Sequence, residues 1–169
     1  MEATDLQREL ELLHADSFGW ALSCCRRRKD EAEEVLQTAY IKVLEGRAKF
    51  EGRSSFRTWF FGVIRRTASE QQRRRWLRDT LLNRWYAGQP LRPGWSAAPL
   101  GKGADSSLLR NALSRLPERQ QQVLHLVYYQ DLTVEEAAGV LGVSLGTART
   151  HFDRGKRRLR QLLAPQAAH

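Results

Sequence analysis

Between Tyr86 and Asp105, glycine and proline occupy seven of twenty positions: Gly88, Pro90, Pro93, Gly94, Pro99, Gly101 and Gly103. Proline removes a helical donor and glycine surrenders the most backbone entropy on ordering, so no continuous helix crosses this stretch. Beyond Tyr86 at its start, little is left to bury apart from Leu91, Trp95 and Leu100. A flexible linker is therefore predicted over residues 86–105. It splits the 169-residue chain into two blocks, 1–85 and 106–169, each a small domain at most.

Both blocks carry the three-and-four spacing of amphipathic helices, and neither contains a convincing alternating run of β-branched residues. In the first, Leu6, Leu10 and Leu13 begin a stripe that Phe18, Ala21, Leu22 and Cys25 continue. Asp30 and Glu33 have capping-box spacing before a helix with Val35, Leu36, Ala39, Tyr40, Val43 and Leu44 on one face, and Gly46 marks its end. A further helix is predicted from Ser54 or Ser55, with Phe56, Trp59, Phe60, Val63 and Ile64 inward. It runs on into Arg65, Arg66, Arg73, Arg74, Arg75 and Arg78. In the second block a helix with Leu108, Leu109, Ala112 and Leu113 closes at Leu116-Pro117. Pro117 suits the first turn of the next, which turns Val123, Leu124, Val127 and Tyr128 inward. Thr133 and Glu136 form a second capping-box signature, Gly142 supplies a turn, and Ser144 caps a last helix ending near Leu163 and Pro165. The fold class expected is all-α, with two small helical domains joined by a flexible linker.

Charge separates the blocks further. Residues 1–51 hold eight basic and eleven acidic side chains, whereas residues 52–169 hold twenty and eight, within a net charge of +9. The second portion is suited to polyanions and the first to protein. Cys24 and Cys25 are adjacent, without a second pair, so they read as buried thiols. No metal-ligand spacing, phosphate-binding glycine loop or nucleophile–base set is present, and neither enzyme, metal nor cofactor is expected. No apolar run approaches membrane-spanning length, and the acidic start Met1-Glu2-Ala3-Thr4-Asp5 lacks the plan of a signal peptide. Membrane insertion is not expected, and a bacterial or nuclear interior remains.

Three segments carry chemistry. The strongest is Thr133–Leu163: a short helix with Ala137 and Ala138, the turn glycine, and a capped second helix together specify a helix-turn-helix. With Ala148, Phe152, Leu159, Leu162 and Leu163 inward, its outward faces present Ser144, Thr147, Arg149, Thr150, His151, Asp153 and Arg154. Arginine grips guanine edges bidentately, and hydroxyls and amides at a helix start hold phosphate. Lys156, Arg157, Arg158 and Arg160 extend the positive charge. Asp153 reads as an intrahelical charge partner. The second segment is Phe50–Arg75. By spacing, Phe56, Trp59 and Phe60 belong to the core, whereas Phe61 falls off that face. An exposed aromatic beside the loop Phe50-Glu51-Gly52-Arg53-Ser54-Ser55 could stack on and enclose an unpaired base. The third is the helix from Asp30 to Glu45. Its Glu31, Glu33 and Glu34 form either a solvated face or a docking surface for a basic or coiled-coil partner.

In their order along the chain, the segments resemble the extracytoplasmic-function (group IV) sigma factors of bacterial RNA polymerase, within the sigma-70 family. Glu31-Ala-Glu-Glu-Val-Leu-Gln-Thr-Ala-Tyr-Ile-Lys-Val-Leu44 is similar to the core-polymerase-binding helix of region two. Phe50-Glu-Gly-Arg-Ser-Ser-Phe-Arg-Thr-Trp-Phe-Phe-Gly-Val-Ile-Arg-Arg66 is similar to the stretch that melts and reads the −10 element. Leu116-Pro-Glu-Arg-Gln-Gln-Gln-Val-Leu124, Thr133-Val-Glu-Glu-Ala-Ala and Val143-Ser-Leu-Gly-Thr-Ala-Arg-Thr150 resemble region four. The resemblance spans about residues 16–163.

It implies a sigma factor that binds core RNA polymerase and directs promoter-specific initiation at −35 and −10 elements, with region two in 1–85 and region four in 106–169. Glu31, Glu33, Glu34 and Gln37 are implied to meet polymerase. Phe50, Gly52, Arg53, Ser54, Ser55, Arg57, Trp59, Phe61, Arg65 and Arg66 are implied at the −10 element. Ser144, Thr147, Arg149, Thr150, His151, Arg154 and Lys156 are implied at the −35 duplex. An anti-sigma factor is a further implied partner. Thr38 stands where the family is usually acidic, so a phosphate there would restore charge. Arg66 and His151 stand where Asn and a long basic side chain are frequent, which bears on promoter sequence. A helix-turn-helix regulator that is no polymerase subunit explains residues 106–163 but leaves Phe50–Arg66 without a role.

Overall fold

The computed structural model describes residues 3–85 and 104–164. These residues form eight helices and no strand. Helices α1 (Ala3–Leu12), α2 (His14–Cys24), α3 (Lys29–Leu44) and α4 (Phe56–Trp85) precede α5 (Ala104–Ser114), α6 (Glu118–Tyr128), α7 (Val134–Leu141) and α8 (Leu145–Leu163). The chain divides into two compact units, Met1–Ala98 and Pro99–His169. The division falls within the predicted linker, of which residues 86–103, and likewise Pro165, lie outside the described residues. Within those residues no helix is long and apolar enough to cross a membrane.

In the first unit α2, α3 and α4 pack mutually, with α1 laid against α2 and α3. Trp20, Ala21, Cys24 and Cys25 from α2 and its end meet Val35, Leu36, Ala39 and Val43 of α3 and Phe60, Phe61, Val63 and Ile64 of α4, all buried. Because α4 is gripped from two sides, its buried arc is broader than a single stripe and takes in Thr58, Thr67 and Ala68. The expectation for its aromatics is corrected accordingly. Phe61 is fully buried, while Phe56 and Trp59 are only half-buried. Burial also pushes the Cys25 thiol up to about 12.

Polar cross-links fix the register of α4. Gln71 donates to the Thr38 hydroxyl across 3.2 Å, and Gln72 donates to the carbonyl of Cys24 across 2.9 Å. Lys42 joins Thr67 Oγ1 at 3.2 Å and Glu70 Oε2 at 2.6 Å. The capping box predicted at Asp30 and Glu33 is absent: α3 opens two residues earlier, with Arg28 as N-cap and no side-chain cap bond. Glu33 turns instead to Lys29, four residues back, at 3.6 Å. Gly46 ends α3 as expected, at φ +70°.

In the second unit α6 and α7 pack on α8, and α5 also rests on α8. Val123, Leu124 and Leu126 of α6, Ala137, Ala138, Val140 and Leu141 of α7 and Ala148 of α8 are buried. Pro117 is the N-cap of α6 rather than its first helical residue. The buried Gly155 lets α8 approach α6 so closely that a Cβ there would lie 3.1 Å from Leu124 Cδ1. Leu163, expected inward, is exposed at the end of α8.

Candidate polymerase and nucleic-acid surfaces

The helix-turn-helix forms as its caps dictate. Thr133 accepts from the Glu136 amide at 3.1 Å, and Glu136 returns a carboxylate to the Thr133 amide at 2.8 Å, closing the capping box. Gly142 takes φ +64°, a left-handed conformation that would strain any residue with a Cβ. Ser144 Oγ accepts from the Thr147 amide at 3.1 Å and lies 2.9 Å from the Thr147 hydroxyl. The exposed start of α8 therefore combines free amide dipoles with two hydroxyls.

Beyond it, Arg149, Thr150 and Arg154 are exposed, as are Arg157 and Arg158, while His151 is half-buried. Thr150 spends its hydroxyl proton on the Gly146 carbonyl, at 2.9 Å, leaving its lone pairs outward. Asp153 pairs with Lys156 at 3.2 Å, as the sequence indicates. Lys156 Nζ also sits 4.2 Å from the centre of the Phe152 ring, which in turn contacts Tyr128, so this cation is drawn to the flank of α8. The outward arc thus brings Ser144, Thr147, Arg149, Thr150 and Arg154 together, with Lys156 at its margin.

In the first unit, the loop before α4 is exposed at Gly52, Arg53, Ser54 and Ser55. Gly52 adopts φ +73°, and Arg53 pairs with Glu51 at 3.0 Å. Ser54 Oγ donates to the Ser55 carbonyl at 3.2 Å. Ser55 caps α4, accepting from the Thr58 amide at 3.1 Å. Half-buried Phe50, Phe56 and Trp59 meet beside the loop, each pair of rings 5.2 to 5.5 Å apart. This cluster supplies the accessible π surface that spacing assigned to Phe61. Arg57 pairs with Asp16 at 3.0 Å and lies 5.4 Å above the buried Phe61 ring. Of the two following arginines, Arg65 is half-buried and Arg66 exposed. Arg66 joins Lys42, Arg47 and Glu70 around a cleft of about 230 Å³ between α4 and the end of α3.

On α3 the acidic residues separate. Glu31, with only 12% of its side chain exposed, is held by Arg28 at 2.5 Å and by Arg75, which also reaches Glu34 at 2.9 Å. Glu33 and Gln37 instead stand exposed on a stripe with Asp30, Ile41 and Leu44, spaced three and four residues apart. Leu44 is 58% and Ile41 40% exposed, although Leu44 was expected inward. The mixed acidic and apolar stripe was legible in the spacing 30, 33, 37, 41, 44, but the apolar count favoured placing Leu44 in the core. Among the described residues no cluster of His, Cys, Asp or Glu could hold a metal ion.

Residues 11–78 match the family description Sigma-70 region 2, and residues 112–161 match Sigma-70, region 4. The RNA polymerase sigma factor YlaC of Bacillus subtilis (strain 168) is 30% identical over 139 residues, covering 78% of this chain and 77% of that one. The sigma factor CarQ of Myxococcus xanthus is 28% identical over 165 residues, 95% and 91% of the two chains. Among solved structures, the sigma factor RpoE from Bartonella quintana, in a co-crystal with the anti-sigma factor NepR, aligns with a TM-score of 0.76. At 24% identity over 96% of this chain and 98% of that one, it supports the fold. With both regions matched in order over most of its length, and with such a relative, the chain belongs to the sigma-70 family as an extracytoplasmic-function sigma factor.

Proposed function

We propose that this chain, a sigma factor in the bacterial cytoplasm without catalysis of its own, divides its work between its two units. Residues 1–85 attach it to core RNA polymerase and hold unpaired bases of the −10 element; residues 106–169 anchor the −35 duplex. The observation that carries this assignment is the pairing of a capped helix-turn-helix having an arginine-rich outward arc with a separate loop flanked by accessible aromatics. One suits duplex grooves and the other unstacked bases.

On α3, the exposed stripe of Asp30, Glu33, Gln37, Ile41 and Leu44 makes the polymerase contact. Glu34 sits at its edge, and Glu31 acts from within by holding α3 to α4 through Arg75. Apolar side chains flanked by charge supply the burial and the register that a specific interface needs. At the −10 element, Phe50, Phe56 and Trp59 offer stacking surface, and Gly52, Arg53, Ser54 and Ser55 offer polar contacts. Arg66 faces the phosphates, while Arg57 and Arg65 support α4. At the −35 element, Ser144 and Thr147 hold backbone phosphate, Arg149, Thr150, His151 and Arg154 meet the groove, and Lys156 lies at its edge. Two modest sites on one chain reinforce each other through effective concentration. An anti-sigma factor, the kind of partner NepR is for RpoE, would silence the chain by covering the same α3 stripe.

Runoff transcription with purified core polymerase over a library of genomic promoters tests the proposal. The expected result is initiation from a defined promoter class, lost when Arg154→Ala and Trp59→Ala are combined. Unchanged start sites on adding the native chain would overturn it.

A further inference from the structure

Helix α8 carries six Arg or Lys residues and one acidic residue, Asp153. Asp153 stands far round the helix from the buried Ala148 and Gly155. Its neighbours at three and four residues' spacing include Arg149, Thr150 and Arg157, all exposed, so it lies within the outward arc. Its side chain is 63% exposed. Lys156 engages one oxygen, Oδ1, from the flank, where the lysine is also held over Phe152. One such pair leaves most of the acceptor capacity of the carboxylate unused.

A carboxylate in a surface built for phosphate is unfavourable wherever it meets the DNA backbone. It becomes favourable only against a donor on a base edge. In the major groove, guanine and thymine edges offer acceptors at that depth. Adenine sets its N6 donor beside the N7 lone pair, which repels the second carboxylate oxygen. Cytosine presents an N4 amino donor with no neighbouring acceptor.

Resting on the reading that α8 enters the upstream promoter duplex, we propose that Asp153 is a specificity-determining residue that accepts a hydrogen bond from a cytosine amino group. The Lys156 pair holds the carboxylate ready, and Arg149 and Arg157 offset its repulsion by nearby phosphates. Asp153 thus weakens binding to duplexes in general while favouring those with cytosine at one position.

The test uses the full chain with core polymerase, transcribing a promoter library randomised across the upstream element, with transcripts sequenced. The native chain is expected to prefer C at one position over the other bases by roughly five- to one-hundred-fold. Asp153→Asn is expected to flatten that preference while raising output from the disfavoured templates. Lys156→Met, which removes the ion pair but keeps the carboxylate, is expected to lower output and to weaken the preference without abolishing it. Circular dichroism of each variant reads out helix content, so that lost folding is distinguished from lost discrimination. The proposal is overturned if Asp153→Asn changes all templates alike, or if the native chain selects upstream sequences without a cytosine preference. Both of those results leave the sigma-factor assignment standing. A native chain that selects nothing at the upstream element overturns the duplex-binding reading together with this one.

Discussion

The indole N–H of Trp20 donates to the main-chain oxygen of Phe61 across 3.0 Å in a buried contact, and the two rings stack with centroids 6.3 Å apart. This pair fixes the rotation of α4 about its axis against α2, and with it which aromatics reach the surface. Trp20→Phe removes the donor and leaves a gap where the indole was. A loss of about 2 kcal/mol in the first unit is expected, read by urea unfolding of the full chain. An unchanged first transition would show that the contact contributes nothing net.

The residues of α3 are expected to separate into two classes of variant. Glu31→Ala strips Arg75 and Arg28 of a largely buried partner, so it lowers stability by about 1–3 kcal/mol. Leu44→Ala and Gln37→Ala touch exposed side chains and leave the melting temperature within about 2 °C. Both are expected to weaken binding to core polymerase by about three-fold or more, with Leu44→Ala the stronger. Fluorescence anisotropy of a labelled chain against core polymerase, beside thermal unfolding, reads both effects. Equal stability losses in all three variants would contradict the division.

Helix content, caps and the helix-turn-helix were legible in the sequence because each rests on local chemistry. Thr133 with Glu136, Gly142 and Ser144 need only their own neighbours to form their structures. The rotation of α4 was not legible. Phe56, Trp59 and Phe60 recur at helical spacing, but which residues of that helix face inward depends on α2 and α3 gripping it from two sides. Phe61 is buried through a contact with Trp20, 41 residues away. The same non-local cause separates Glu31 from Glu33: only the approach of Arg75 makes one a packing element and leaves the other at the surface. Asp30 had the spacing for a cap, yet the helix begins before it, and no local signal chose between the two starts.

Alkaline pH is expected to destabilise the first unit through Cys25. Its thiol titrates at about 12 in the fold against an ordinary 9.0, chiefly because burial disfavours the thiolate. A folded value above the unfolded one means that the stabilisation is complete below pH 9 and is lost as pH rises toward 12. The slope in that window is up to about 1.4 kcal/mol per pH unit. Tyr40, also raised by burial, acts in the same direction. Urea unfolding between pH 8 and 11 should show the decline, and Cys25→Ala should flatten it. Alkylation at pH 8 should leave the native thiol unmodified and label it once urea unfolds the chain. Rapid labelling of the native thiol would contradict this.

Gly155 determines how closely α8 can lie on α6, and therefore how firmly the outward arginines are held. A Cβ at this position would sit 3.1 Å from Leu124 Cδ1, 3.3 Å from Gln120 Cβ and 3.4 Å from Leu124 Cγ. Two of these three atoms lie near the backbone of α6 and cannot simply swing away. Gly155→Ala gains about 1 kcal/mol of helix propensity and loses a similar amount to crowding, so its net effect on stability is expected to be small. Gly155→Val adds two methyl groups to the same space and has no propensity gain of that size. It is expected to cost about 2 kcal/mol, lowering the melting temperature of the second unit by roughly 8–16 °C. Because the strain pushes α8 away from α6, transcription from promoters that depend on the upstream element should fall more steeply than binding to core polymerase. Calorimetry of the full chain together with the two functional assays tests this chain of cause. A Val variant as stable as the native chain would show that α6 yields freely, and that the glycine is not what sets the approach of the two helices.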